Sequence, residues 1–325
     1  GLKGEKIAVI GEASYAWAVT YLAVVCGVGV IVPLDKELPK EEIDNLINIA
    51  NVKMIIHSPK VKTIDKDTKV DYKVCMGEEL DALIEDGKRL LKEGNRDFLD
   101  AVIDPEEMQI LLFTSGTTGM AKGVMHNHRT ICTNLMSMVT MFKLYPEDIF
   151  LSVLPIHHTY ECTCGFLCPI YKGCTIAHCE GLKYIVQNLK ETKATMVLGV
   201  PLMFEKMWRT INKTIDKNGM RKKVNLGMKI AKVAGAVGID VRRKLFKQIH
   251  DNFGGNIRTF ISGAAAIDPK VAEGFRSIGI QLLQGYGLTE CAPIGALNRD
   301  VYSKDAAAGL PLPGVEIKID NPNEE

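Results

Sequence analysis

The chain has 325 residues, 46% hydrophobic and 24% charged, with 40 Lys or Arg against 39 Asp or Glu. That length suits two domains, or one large domain with subdomains, and the balanced charge argues against a nucleic-acid partner. Its apolar runs break at Gly, Pro or charge well short of the ~20 residues a membrane span needs, and nine cysteines in apolar surroundings favour a reducing, cytoplasmic compartment.

GLKGEKIAVI opens without Met and without signal-peptide features, so Gly1 reads as a domain boundary. KIAVI (6–10) predicts a strand, Tyr15 to Cys26 a helix, VGVIVPL (28–34) a strand, LPKEEIDNLINIAN (38–51) a helix and VKMIIHS (52–58) a strand. This alternation argues for a parallel sheet with helices on both faces. Residues 59–104 are more polar and read as a connecting region with short elements. Asp104-Pro105-Glu106-Glu107 has the features of a helix start, with Asp as cap and Pro in the first turn. Gln109 to Thr114 is an apolar run of strand length, and beyond it Ile131, Leu135, Met138, Val139 and Phe142 fall on one helical face. DIFLSVLP (148–155), CTIAH (174–178), ATMVLG (194–199), NIRTFISG (256–263) and GIQLLQGYG (279–287) read as further strands, with a basic helical stretch among them.

Small or polar clusters follow four of these strands: TSGTTG, LPIHHTYE, ISGAAAID and QGYGLTE. Ligands in open α/β sheets gather at the carboxyl ends of strands, so one site fed by four strand ends is the economical expectation. In the first cluster Gly116 and Gly119 permit tight backbone turns, while Ser115, Thr117, Thr118 and Lys122 add hydroxyls and a positive charge. Backbone N–H groups in such a loop form a concave nest for an anion, which points to phosphate. The common GxxxxGK[ST] loop is excluded, because Ala121 stands where glycine is required and Gly123 follows Lys122. In QGYGLTE, Gly285 and Gly287 flank the Tyr286 ring, a stacking surface, and Glu290 offers a hard oxygen suited to Mg²⁺. Cys162, Cys164, Cys168, Cys174 and Cys179, with His157, His158 and His178 nearby, lack paired CxxC knuckles and read as packed thiols.

FTSGTTGMAKG (113–123) and GYGLTE (285–290) together resemble the phosphate loop and the adenine and magnesium motif of the adenylate-forming superfamily. That superfamily includes acyl-CoA synthetases, nonribosomal peptide adenylation domains and luciferases. VPLMFEKMW (200–208), the basic stretch and ISGAAAIDPKVAEGF (261–275) are most similar to long-chain fatty acyl-CoA synthetases. Two positions depart from the family pattern, which usually has Pro at Ala121 and often Tyr at Phe113. The resemblance implies the large N-terminal α/β domain of these enzymes: mostly parallel sheets flanked by helices in two pseudo-repeated subdomains, incomplete at both ends. It divides the chain into 1–108, a partial first subdomain, and 109–325, a nucleotide-binding subdomain.

The resemblance also implies roles. Thr114, Ser115, Gly116, Thr117, Thr118, Gly119 and Lys122 would hold the phosphates of ATP. Gly263, Ala264, Ala265, Gly285, Tyr286 and Gly287 would line the adenine pocket. Thr289 would touch the α-phosphate, Glu290 would bind Mg²⁺, and His158 would lie near carboxylate and phosphate, with His157 lacking a family counterpart. A carboxylic acid, ATP and CoA are the implied small-molecule partners, a medium- or long-chain fatty acid being the expected acid. Amino-acid-activating relatives carry an aspartate after the histidine region, and no clear equivalent stands near IHHTYECTCGF. The alternatives are a nucleotide- or acyl-binding module without turnover, or activation of an aryl or amino acid. The family's TGD motif, hinge and C-terminal lysine domain would follow GLPLPGVEIKIDNPNEE, so a catalytically incomplete chain is expected.

Residues 206–247 hold 13 Lys or Arg and two acids, a local charge of +11 in a chain of +1. That is a solvated face of surface helices or an attraction to anionic lipid or to a polyphosphate ligand, the lipid arm testable by removing the charges at 242–244.

Overall fold

The computed structural model describes residues 2–115 and 121–320. By internal packing the chain forms two units, one of residues 1–133 and 155–159 and one of residues 134–154 and 160–325.

The first unit holds a six-stranded sheet of β1 (Lys6–Ile10), β2 (Val30–Leu34), β3 (Val52–His57), β4 (Tyr72–Cys75), β5 (Met108–Ser115) and β6 (Ala121–Asn127), in the order β4-β3-β1-β2-β5-β6. All neighbours are parallel except β5 and β6, an antiparallel hairpin with Ser115 opposite Ala121 and Thr114 opposite Lys122. Burial of every residue of VIVPL in β2 explains its unbroken apolar run, since helices cover both faces of a parallel sheet. The helix Lys40–Ala50 buries Ile43, Leu46, Ile47 and Ala50, the face expected from their spacing.

Two local expectations are corrected here. The polar region 59–104 contains β4 and, longer than the short elements expected there, a 15-residue helix, Glu78–Lys92; its apolar Leu83, Ile84, Leu90 and Leu91 share a face with Leu80, yet only Leu80 is buried. Asp104 begins a turn rather than a helix: its Oδ1 accepts from the Glu106 N–H at 2.8 Å, its carbonyl accepts from Glu107, and β5 starts at Met108. β5 and β6 pair into the first sheet, so the first unit runs on to Thr133 instead of closing at 108.

The second unit carries β7 (Ile149–Ser152), β8 (Thr175–His178), β9 (Met196–Gly199), β10 (Thr259–Ser262), β11 (Gln281–Gly287), β12 (Ile294–Leu297) and β13 (Leu310–Pro311), in the order β13-β12-β11-β10-β9-β7-β8. From β8 to β11 the neighbours are parallel, and β12 and β13 add antiparallel edges. Apolar cores lie on both faces. Phe204, Phe253, Phe260 and Phe275 dominate one, with Phe260 edge-on to Phe275 at 5.2 Å. Phe150, Leu198, Leu283, Cys164 and Cys168 fill the other. The cysteine-rich segment is thus core: a π-helical run, Tyr160–Leu167, leads into the short helix Cys168–Lys172, and burial pushes the Cys168 thiol up to about 12. Two largely parallel sheets flanked by helices agree with the sequence reading. No helix among the described residues is long and apolar enough to cross a membrane.

Candidate active site

The candidate residues divide between the units. In the first unit, β5 reaches its carboxyl end at Thr114 and Ser115, and Lys122 stands exposed on β6 across from Thr114. Gly116, Thr117, Thr118 and Gly119 lie outside the described residues. The hairpin has a buried base in Ile110, Leu111, Leu112 and Val124, which fixes the spacing of Thr114 and Lys122 on a sheet rather than on a free loop.

Residues 155–159 also join the first unit, and they carry both histidines. A turn closes them, with the His158 N–H donating to the Pro155 carbonyl at 3.1 Å. The two imidazoles stand 4.2 Å apart, and His157 Nε2 lies 3.6 Å from Asp35 Oδ2, just past the end of β2. Burial, the neighbouring His158 and Lys36 lower the His157 pKa to about 4, against the opposing pull of Asp35. His158 is likewise held below the usual histidine value, by burial, with Asp35 opposing. Both rings are therefore neutral at pH 7, so His158 can offer one N–H without adding full charge.

In the second unit the remaining candidates follow β10 and β11, at the carboxyl edge of the sheet. Gly263 is buried and donates to the Gly199 carbonyl at 3.1 Å, while Ala264 and Ala265 are exposed just beyond it. A Cβ on Gly263 would lie 2.8 Å from the Tyr160 ring, so the absence of a side chain admits that ring. Tyr160 uses the approach to donate its hydroxyl to the Ile261 carbonyl at 3.0 Å. Ala264 has φ +71, a left-handed conformation that costs a non-glycine residue about 1–3 kcal/mol and tends to mark functional turns. Gln284 on β11 holds this loop, its Oε1 accepting from the Ile267 N–H at 2.8 Å.

Gly285, Tyr286 and Gly287 continue β11 past β10 and pair with β12. A Cβ at Gly287 would come within 1.9 Å of the Pro293 carbonyl oxygen, so the strands meet closely only because glycine is there. The Tyr286 ring is 53% exposed, leaving its face open to stack on a planar ligand. Thr289 opens a short 3₁₀ turn and Glu290 is exposed on it.

Three residues that matter here were missed from sequence. Asn134 is buried and fixes the Thr289–Cys291 turn, donating to the carbonyls of Cys291 at 3.0 Å and Ile294 at 2.7 Å and accepting from the Ile294 N–H. Its signal was a polar residue on the same helical face as Ile131 and Leu135. Tyr160 shapes the Gly263 loop. Glu161 is 1% exposed, with both carboxyl oxygens unpartnered against Gly165; Ser152 and the Leu154 N–H are near without completing a bond. Burial raises its pKa to about 7.

An apolar cavity of about 580 Å³ also lies in the second unit. It runs from Leu154 and Val200, beyond the carboxyl ends of β7 and β9, along Met203, Met207 and Ile211 to Met220.

The sequence model of the family described as AMP-binding enzyme matches residues 2–325. Probable CoA ligase CCL6 of Humulus lupulus is 29% identical over 65% of this chain and 34% of its own length. Long chain acyl-CoA synthetase 3 of Arabidopsis thaliana is 26% identical over 98% of this chain and 53% of its own. The chain thus spans about a third to a half of the length of these relatives. Among solved structures, the anthranilate CoA ligase AuaEII in complex with anthranoyl-AMP superimposes with a TM-score of 0.74 at 18% identity, covering 99% of this chain and 56% of that one.

Proposed function

The chain belongs to the AMP-binding enzyme family, and from that premise we propose that the protein activates a carboxylic acid with ATP and transfers the acyl group to coenzyme A. The observation that carries this reading is the family match along residues 2–325. In the first step a carboxylate oxygen attacks the α-phosphorus, the bond to the β-phosphate oxygen breaks, and pyrophosphate leaves as the acyl-adenylate forms. In the second step the thiol sulfur attacks the acyl carbon, its proton passes to solvent, and AMP departs. Charge stabilisation and positioning supply the rate, with no covalent enzyme intermediate.

Thr114, Ser115, Gly116, Thr117, Thr118, Gly119 and Lys122 are assigned to the phosphates, as N–H and hydroxyl donors around one cation. Gly263, Ala264, Ala265, Gly285, Tyr286 and Gly287 are assigned to adenine, with the half-exposed Tyr286 ring as the stacking surface. Thr289 is assigned to the α-phosphate, and neutral His158 donates to the crowded anionic centre. The described residues contain no cluster of three or more His, Cys, Asp or Glu able to hold a metal unaided. The single exposed carboxylate of Glu290 suits Mg²⁺, which takes most of its ligands from phosphate and water. Mg²⁺ there would neutralise phosphate charge.

The substrate we assign is a medium- or long-chain fatty acid. The apolar cavity supports it: about 580 Å³ falls in the ~300–1,000 Å³ range of small-molecule sites, and its walls offer methylene-compatible Met and Ile. ATP–pyrophosphate exchange with fatty, aryl and amino acids tests both parts. Exchange driven by long-chain acids supports the reading. Exchange with anthranilate alone would replace the substrate, and ATP hydrolysis without any acid would reject the activity. Binding of acyl-adenylate mimics without exchange would identify a ligand-binding module lacking turnover.

A further inference from the structure

We propose that the outward face of the helix Arg221–Ala236 docks on an anionic lipid bilayer. This inference stands apart from the choice of acid. Leu226, Ile230, Val233 and Val237, the last at the helix cap, are 58%, 47%, 71% and 72% exposed. Their spacing of four, three and four residues places them within about 60° of arc at 100° per residue, a continuous apolar stripe. The opposite side is committed to the fold, with Val224 and Ala231 buried and Gly227 against the Phe246 ring.

Charge borders the stripe. Lys222, Lys223, Lys229 and Lys232 are exposed, and the helix contains no acidic residue. The ion pairs of this region go to Arg221, Arg242 and Lys247 instead, so these lysines have no carboxylate partner among the described residues. Arg242 and Arg243 are otherwise engaged, donating to the carbonyls of Arg276, Ile257 and Gly255, so the charges at 242–244 are less suitable probes than these lysines.

A surface with an apolar stripe flanked by lysines fits an interface that is apolar below and anionic above. A nucleic acid or acidic peptide would match the lysines and leave the stripe in water. A second copy packed two-fold on the same face would bury the stripe and set lysines against lysines. The helix has 16 residues and is not long and apolar enough to cross a membrane, so it lies on the surface. Met220 and Val224, at its start, also line the apolar cavity, which puts the cavity wall and the lipid-facing stripe on neighbouring parts of one helix.

Flotation of the 325-residue chain with phosphatidylcholine vesicles, with and without phosphatidylserine, tests the proposal. Binding is expected only with phosphatidylserine and should weaken as salt rises. A Lys222→Gln, Lys223→Gln, Lys229→Gln triple variant should bind about a hundredfold more weakly, at about fivefold per lysine. A Leu226→Ser, Val233→Ser double variant should also lose binding while keeping the parent's circular dichroism, since both side chains are exposed. Equal binding to both vesicle types, or parent-level binding by the triple variant, would overturn the proposal. So would a concentration-dependent dimer abolished by Val233→Glu in a chain that ignores vesicles.

Discussion

Glu161 and His157 pull the stability of the protein in opposite directions between about pH 4 and pH 7. Burial raises the Glu161 carboxyl from its ordinary 4.5 to about 7. Below 4.5 both folded and unfolded chains hold the proton. As pH rises the unfolded chain releases it first, so this residue's contribution falls until about pH 7, by roughly 3 kcal/mol. His157 does the reverse, its folded value being lowered from 6.5 to about 4. Its contribution is fully present above 6.5 and is lost on acidification towards 4. Urea unfolding of Glu161→Gln should therefore show stability rising with pH more steeply than in the parent, and His157→Gln should show the opposite. Parallel pH profiles for parent and variants would refute both assignments.

At the scale of elements, the turn after β11 depends on one side chain from a distant helix. Asn134→Ala removes the partners of the Cys291 and Ile294 carbonyls and should cost about 1–3 kcal/mol in urea unfolding. It should also weaken nucleotide affinity through the turn that carries Thr289 and Glu290; destabilisation with unchanged affinity would separate that turn from the site. Gly287→Ala should be worse for folding, because backbone at 1.9 Å cannot yield as a flexible side chain could.

The parallel strands were legible in sequence for a physical reason: VIVPL, MVLG and TFIS are buried throughout, so each reads as an apolar run between breaks. β6 was not, since AKGVMHN mixes glycine, charge and alternate exposure. The small-residue clusters were legible because strand ends concentrate glycine and hydroxyls. Asn134, Tyr160 and Glu161 act through partners or burial set by tertiary packing, which local pattern does not encode; Asn134 bonds to residues 157 and 160 positions away.

For the whole molecule, the proposed acyl-adenylate ligand rests on the family match along the chain and an apolar cavity in the second unit. Tyr286→Ala should remove the proposed adenine stacking surface and little else, because that side chain is half exposed. The decisive measurement is thermal shift of the chain against stable acyl-adenylate mimics of increasing chain length, with Tyr286→Ala alongside. A ligand at ~100 times its Kd that binds only the folded state adds ~2.7 kcal/mol, a readily measured shift. Stabilisation that grows with chain length and disappears in Tyr286→Ala is the result expected of a fatty acyl-adenylate site. No stabilisation by any mimic, or equal stabilisation of the parent and Tyr286→Ala, would contradict it.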